Sequence, residues 1–273
     1  MRITSWNFLH GMTIPPSSLP PQPGVLANAI AELGSDVLAL QEVDYLQDRS
    51  NKENQVAKIA ALLGAKYWAF APSLAGATES SWSKKIAADQ KLITNSSATG
   101  AAGYGIGLIS KIPVTSWHRL ELRGSPFGLL LFLPIEGKLK RTYIADHPRS
   151  AIAAVLENGW LIVNTHLSFI PIVNSFQLAK IKRWIKQLPV KDKSKIILLG
   201  DFNMLGGLPA RTPFWNSLAK MKTFPSWSPK TQLDYILSQS VASEDVLYIE
   251  GKHCGISDHL PLTVEINTSL TKQ

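Results

Sequence analysis

Three short stretches limit what this chain can fold into more than anything else in it. Asp36–Glu42 (DVLALQE), Trp160–His166 (WLIVNTH) and Lys195–Asp201 (KIILLGD) are almost unbroken apolar runs, each closed by a polar residue. A strand with one wet face alternates apolar and polar residues, so runs without alternation suit strands covered on both faces. Further strands are expected at Arg2–Asn7, Tyr104–Ile109, Ala151–Glu157, Leu233–Leu237 and Leu262–Ile266, several with β-branched residues. Two helices are legible among them. Ser50 and Glu53 have capping-box spacing and would open a helix over Asn51–Leu63, with Gly64 as its stop. Phe176–Leu188 places Leu178, Ile181, Ile185 and Leu188 on one stripe, with Lys182 and Lys186 off it. Strands interspersed with helices predict an α/β fold. With no linker or repeat to divide the chain, residues 1–273 are expected to form one domain.

Two segments read as irregular. Residues 10–24 contain five prolines, which exclude a helix or an inner strand there. Residues 75–103, rich in Ala, Ser, Lys and Gly, show no period and are expected to be a long surface insertion. At 273 residues and 45% hydrophobic, the chain has ample material for a core, which excludes a disordered protein. Cys254 is the sole cysteine, so neither an internal disulfide nor a thiolate metal cluster can form. Lys plus Arg outnumber Asp plus Glu by 28 to 20, and the net charge of +8 favours an anionic partner. No apolar run follows Arg2 to suggest a secretory signal, and Phe127–Ile135, interrupted by Gly128 and Pro134, is too short to span a bilayer. A cytoplasmic location without a transmembrane segment is therefore expected, and no obligate protein partner is called for.

What stands at the end of each run carries the chemistry. The first strand ends in Asn7, DVLALQ in Glu42, WLIVNT in His166, and IILLG in Asp201 with Asn203 two residues on. Asp234 lies within QLDYIL, and Ser257-Asp258-His259 comes just before the last strand. Singly, each has an ordinary reading: a turn at Asp201–Asn203, a packed His166, a structural ion pair for Asp234, a solvated Glu42, a cap at Ser257. Those readings must explain the same placement six times over, whereas strand-end residues of a layered sheet converge on one edge, where α/β sites lie.

In order, SWN, LQE, NTHL, GDFN, QLDYIL and SDHLPL resemble the signature blocks of the endonuclease/exonuclease/phosphatase (DNase I-like) superfamily, over essentially the whole chain. The resemblance implies a four-layer α/β sandwich, with two packed mixed β-sheets flanked by helices. It also implies a metal-dependent phosphoesterase that cleaves a P–O bond with activated water. A phosphoester must have its charge screened before a nucleophile approaches, and carboxylate and amide oxygens suit a hard cation, Mg²⁺ or Mn²⁺. Asn7, Glu42 and Asp258 are the expected metal ligands. Asp201 is the candidate to orient or deprotonate water, with Asn203 donating to the phosphate. His259 would be oriented by Asp234, and His166 would stabilise transition-state charge. Arg149, after Asp146-His147-Pro148, is expected to fork onto the phosphate, and Tyr104 is a further donor. How Asp201 and His259 divide acid and base work stays open.

The chain departs from the AP-endonuclease-like pattern two residues after Asn7, where Leu9, followed by His10, replaces a carboxylate. The SDHLPL block resembles deadenylase-like and lipid-phosphodiesterase-like branches as much as nucleases. The expected substrate is a nucleic acid, with a phospholipid headgroup or small phosphorylated molecule as the alternative and a non-catalytic phosphate binder as a third. Trp82, Phe127 and Leu129–Phe132 are the candidates for an apolar lipid-facing surface. Arg49, Lys84, Lys85 and the Lys180–Lys186 face are expected to be solvated surface.

Overall fold

The computed structural model describes residues 1–14, 24–97, 101–135, 138–211, 215–249 and 251–267. Among these, a seven-stranded sheet runs β14 (Val246–Ile249), β15 (Leu262–Ile266), β1 (Arg2–Asn7), β2 (Val37–Tyr45), β5 (Gly103–Ser110), β3 (Tyr67–Ala75) and β4 (Ile93–Thr94). A six-stranded sheet runs β12 (Asn216–Ser217), β13 (Asp234–Ser238), β11 (Ile196–Asp201), β10 (Leu161–His166), β9 (Arg149–Leu156) and β6 (Val114–Leu122). Both sheets are mixed: β1–β2 and β10–β11 are parallel and their other strand pairs antiparallel. A separate hairpin pairs β7 (Leu129–Ile135) with β8 (Lys138–Ile144).

The unbroken apolar runs are accounted for by what covers each face. Ile3, Val37, Ala39 and Leu108 of the larger sheet meet Ile152, Ile162, Ile197 and Leu199 of the smaller one. The alternate residues Trp6, Leu38 and Leu40 pack under α1 (Val25–Leu33) and α2 (Gln55–Leu63). Leu161, Val163, Ile196 and Leu198 pack under α3 (Val173–Ile185). Helices, sheet, sheet and helix thus make the expected four-layer sandwich, and every residue of Ile196–Asp201 is buried.

Several local expectations shift. Helix α2 starts at Gln55, not Asn51, and its cap is Asn54, whose Oδ1 accepts the Ala57 amide at 3.0 Å. Asn54 bridges Tyr45 while the Leu46 amide donates to the Glu53 carbonyl at 2.9 Å, so pairing with the end of β2 keeps this segment out of the helix. Helix α3 begins three residues earlier and ends three earlier than its stripe suggests, though Leu188 remains buried. Helix α1, strands β3 and β6 and the hairpin were not anticipated. Pro72 inside β3, where the register with β5 shifts, hides that strand from a propensity reading. Nor is 75–103 simply an insertion, because β4 inside it pairs with β3; residues 98–100 lie outside the described set. Of the proline-rich stretch, 15–23 lie outside the described residues, while Thr13 bridges Ile256. Among the described residues, no helix is long and apolar enough to cross a membrane.

Candidate active site

The strands deliver their terminal side chains to one edge of the sandwich. His166, Asp201 and Asp234 are cross-strand neighbours at one end of the smaller sheet. Asn7 and Gln41 are neighbours at the matching end of the larger one, with Glu42 next along β2. Glu42 takes a left-handed backbone (φ 55°) where the register of β2 against β5 slips, a bulge that re-aims its side chain. Asn203 (φ 50°) and Ser257 (φ 64°) are in the same unfavourable region, so backbone strain gathers at this edge. Gly200, just before Asp201, has φ 143°, and a Cβ there would lie 1.8 Å from the Thr165 carbonyl oxygen. Only glycine fits that approach.

Asn7 joins the two sheets. Its Nδ2 donates to Glu42 Oε1 and to Asp201 Oδ2, both at 3.0 Å, while its Oδ1 accepts the Leu9 amide at 3.2 Å. The Asn203 amide closes a turn onto Asp201 Oδ1 at 2.9 Å. Asn203 Nδ2 lies 3.2 Å from His166 Nε2 and donates to the Leu167 carbonyl at 3.0 Å. Arg149 Nη1 is 3.3 Å from His166 Nδ1, and its Nη2 is 3.6 Å from Asp146 Oδ1. The Tyr104 hydroxyl donates to Glu42, and Tyr104, Arg149 and His166 line one small pocket. His259 Nδ1 pairs with Asp234 Oδ2 at 2.8 Å, leaving Nε2 3.9 Å from Asp201 Oδ2. Asp258 is half-buried and feels the charges of His259, Glu42 and Asp234.

Ser257 does more than punctuate. Its hydroxyl donates to the Asn7 carbonyl at 2.6 Å and accepts the His259 amide at 3.1 Å, fixing the approach to His259 against the end of β1. Sequence reasoning also missed the inter-sheet amides beneath the site. Gln41 Nε2 donates to Asn164 Oδ1 at 2.7 Å, and Asn164 Nδ2 donates to the Leu40 and Gly107 carbonyls at 2.9 and 2.7 Å. A polar residue inside two of the three apolar runs, Gln41 and Asn164, was the available signal. Arg49 is exposed as expected but not merely solvated: it forks onto Asp44 at 2.8 and 2.9 Å and lies 5.3 and 5.2 Å from the ring centroids of Trp82 and Tyr104. Trp82 stacks on Tyr104 at 5.1 Å, so it forms a wall behind the phenol. His10 belongs to the same rim, its charged form disfavoured by burial and by Arg49.

Burial and neighbours push these groups apart in acidity. Burial alone would raise Glu42, but His166, the Asn7 and Tyr104 hydrogen bonds and Arg149 together hold it at about 2. Burial, aided by the Arg149 charge, drives His166 down to about 3 and leaves it neutral at neutral pH. The fixed donors and Arg149 therefore keep Glu42 ionised. Burial and the nearby Asp234 raise Asp201 to about 7. Burial opposes charge on His259 too, but Asp234 overrides it and lifts the imidazole to about 10. Burial also raises Asp258.

The donor set fits a hard divalent cation. Four carboxylates (Glu42, Asp201, Asp234, Asp258) face Arg149 and one imidazolium, and Asp234 Oδ1 is buried without a hydrogen-bond partner. One atom each from Asp201, Asp234 and His259 lie within 4.8 Å of one another, but His259 in its imidazolium form has no lone pair to give, which leaves a cation to the carboxylate and amide oxygens.

Acids, amides and imidazoles thus gather at one edge of a four-layer α/β sandwich. A family model described as the Endonuclease/Exonuclease/phosphatase family matches residues 4–259, and the chain belongs to that family. No curated protein matches it. Among solved structures it resembles a Bacteroides thetaiotaomicron mannosyl-6-phosphatase (TM-score 0.58, 16% identity, 97% of this chain and 98% of that one). It also resembles the human Nocturnin catalytic domain with bound sulfate (0.51, 17%, 97% and 93%). A truncated Caenorhabditis elegans TDP2 is similar to the same degree (0.52, 16%, 96% and 95%). At these identities the likeness is one of fold.

Proposed function

We propose that this protein is a Mg²⁺- or Mn²⁺-dependent phosphoesterase that hydrolyses a phosphodiester, with nucleic acid as the leading substrate class. The observation that carries this reading is the Asn7 amide spanning Glu42 and Asp201, beside an imidazole already paired with Asp234. Glu42 and Asp258, with Asn7, would hold the cation, which when bound would screen the phosphate and stabilise the leaving oxygen. Asp201, raised towards neutrality and held by Asn7 and Asn203, is suited to take a proton from the attacking water. His259 stays protonated through Asp234 and faces the phosphate as a donor. His166 is neutral; with Arg149 and Asn203 it lines the phosphate side, and Tyr104 fixes Glu42.

A lipid headgroup is the second reading, favoured by the exposed Phe127 (75%) and Leu130 (50%) beside and on the hairpin. Small phosphorylated metabolites are the third, since a mannosyl-6-phosphatase shares the fold. Bis(p-nitrophenyl) phosphate hydrolysis with Mn²⁺ tests the chemistry. Glu42→Ala and Asp201→Asn should each lower kcat by a factor on the order of 10² or more. Turnover that neither substitution affects would overturn the assignment. DNA, RNA, phosphoinositide and sphingomyelin assayed in parallel choose among the substrates, and only a nuclease should lose affinity steeply with salt.

A further inference from the structure

Next to the site lies a cavity of about 570 Å³ whose lining includes Lys84, Lys85, Lys91, Arg119, Arg123 and Arg149 against a single acid, Glu121. Lys84 and Lys85 were expected to be plain surface; they are exposed, but they form one wall of this cavity. Glu121 is already engaged, at 2.7 Å by Arg119 and at 3.1 Å by Lys91. Lys84, Lys85 and Arg123 have no carboxylate partner among the described residues. Arg119, with only 8% of its side chain exposed, donates to the Pro72 carbonyl at 2.8 Å and to Ser150 Oγ at 3.1 Å, but its Nε is buried without a partner. The rim is fixed as well, because the Ser125 amide donates to Asp146 Oδ2 at 2.6 Å. Asp146 also steadies Arg149.

Arg149 connects the two places, lining this cavity and also the small pocket with Tyr104 and His166. We propose that the cavity is a second phosphate-binding subsite of the same active site. It would hold the neighbouring phosphate-bearing unit of a single-stranded nucleic acid while Arg149 straddles that unit and the scissile phosphate. This rests on the phosphoesterase reading and narrows its substrate to a strand with at least two phosphates. The volume lies in the range of a nucleotide-sized ligand rather than a lone phosphate ion. Cations without partners on one wall are what a phosphate backbone neutralises. The wall comes from 84–91 and the rim from 123–126, so a segment that reads as an insertion would set substrate choice.

The test uses the full chain and the triple variant Lys84→Ala/Lys85→Ala/Arg123→Ala, all exposed positions outside the catalytic cluster. Fluorescence anisotropy with labelled oligothymidylate in EDTA reads binding without cleavage. The variant should bind on the order of tenfold or more weakly, with its salt slope reduced by about 2. Its kcat and KM for bis(p-nitrophenyl) phosphate, which has one phosphate, should match those of the wild type. Equal oligonucleotide affinity and slope in both proteins would overturn the subsite. Displacement of the strand by an equimolar amount of adenosine 3′,5′-bisphosphate would also overturn it, in favour of a small bisphosphorylated ligand. Failure of the phosphoesterase reading looks different: the wild type would turn over no phosphoester, while loss of binding in the variant would still support the cavity.

Discussion

Asp234 and His259 allow the sharpest statement about a single pair of residues. The imidazole is raised from its ordinary value to about 10, chiefly because Asp234 outweighs the cost of burial. A group whose pKa is higher folded than unfolded contributes stability that is full below the unfolded value. That stability is lost as pH rises through the folded value. In EDTA, Asp234→Asn should therefore lower Tm by on the order of 5–10 °C at pH 6.5, as expected for breaking a buried charged pair. The gap should shrink steadily up to pH 10. A gap that does not change with pH across this window would mean that Asp234 holds the fold without protonating His259. The pairing was legible in the sequence, because QLDYIL and SDHLPL both placed their charged residue beside a strand. The contact of Ser257 with His259 is local and fits the cap read there, but its role as a brace was hidden because Asn7 is 250 residues away.

Elements were legible where burial was uniform and obscured where pairing overrode propensity. The doubly covered strands β2, β10 and β11 stand close to where their apolar runs placed them, because each face has its own core. Strand β6 escaped notice since most of it is only half-buried, and its charged residues Arg119 and Glu121, which pair with each other, also reach the Pro72 carbonyl and Lys91, which only the folded chain brings near. The start of α2 was misread for a related reason: Ser50 and Glu53 satisfy the capping-box pattern, but the end of β2 claims the backbone on either side of Glu53. The working cap is Asn54. Asn54→Ala should cost about 1 kcal/mol and lower Tm by about 2–4 °C, whereas Ser50→Ala should cost less than half as much. Thermal unfolding of the two variants side by side checks this, and a larger loss from Ser50→Ala would restore the earlier helix start.

For the molecule as a whole, the question is how two sheets packed through apolar faces hold the edge with the candidate active site in register. Aliphatic contacts such as Val37, Ala39, Ile162 and Leu199 tolerate small slides, whereas hydrogen bonds do not. Asn164, wholly buried between the sheets, ties β10 to β2 and β5 through Gln41 and the Leu40 and Gly107 carbonyls. Gln41 immediately precedes the bulged Glu42, so this clamp fixes the strand just where the backbone is strained. Truncation by Asn164→Ala would remove three buried hydrogen bonds, to Gln41 and to the Leu40 and Gly107 carbonyls, at a cost of about 3 kcal/mol. For a chain of this size Tm should fall by on the order of 10 °C. The consequence for the site is separable from that loss. Calorimetric titration with Mn²⁺, well below the lowered Tm, should show weaker binding, because Glu42 loses its anchor while every proposed ligand remains. Unchanged Mn²⁺ affinity in a destabilised variant would mean that the bulge positions Glu42 through Asn7 and Tyr104 alone.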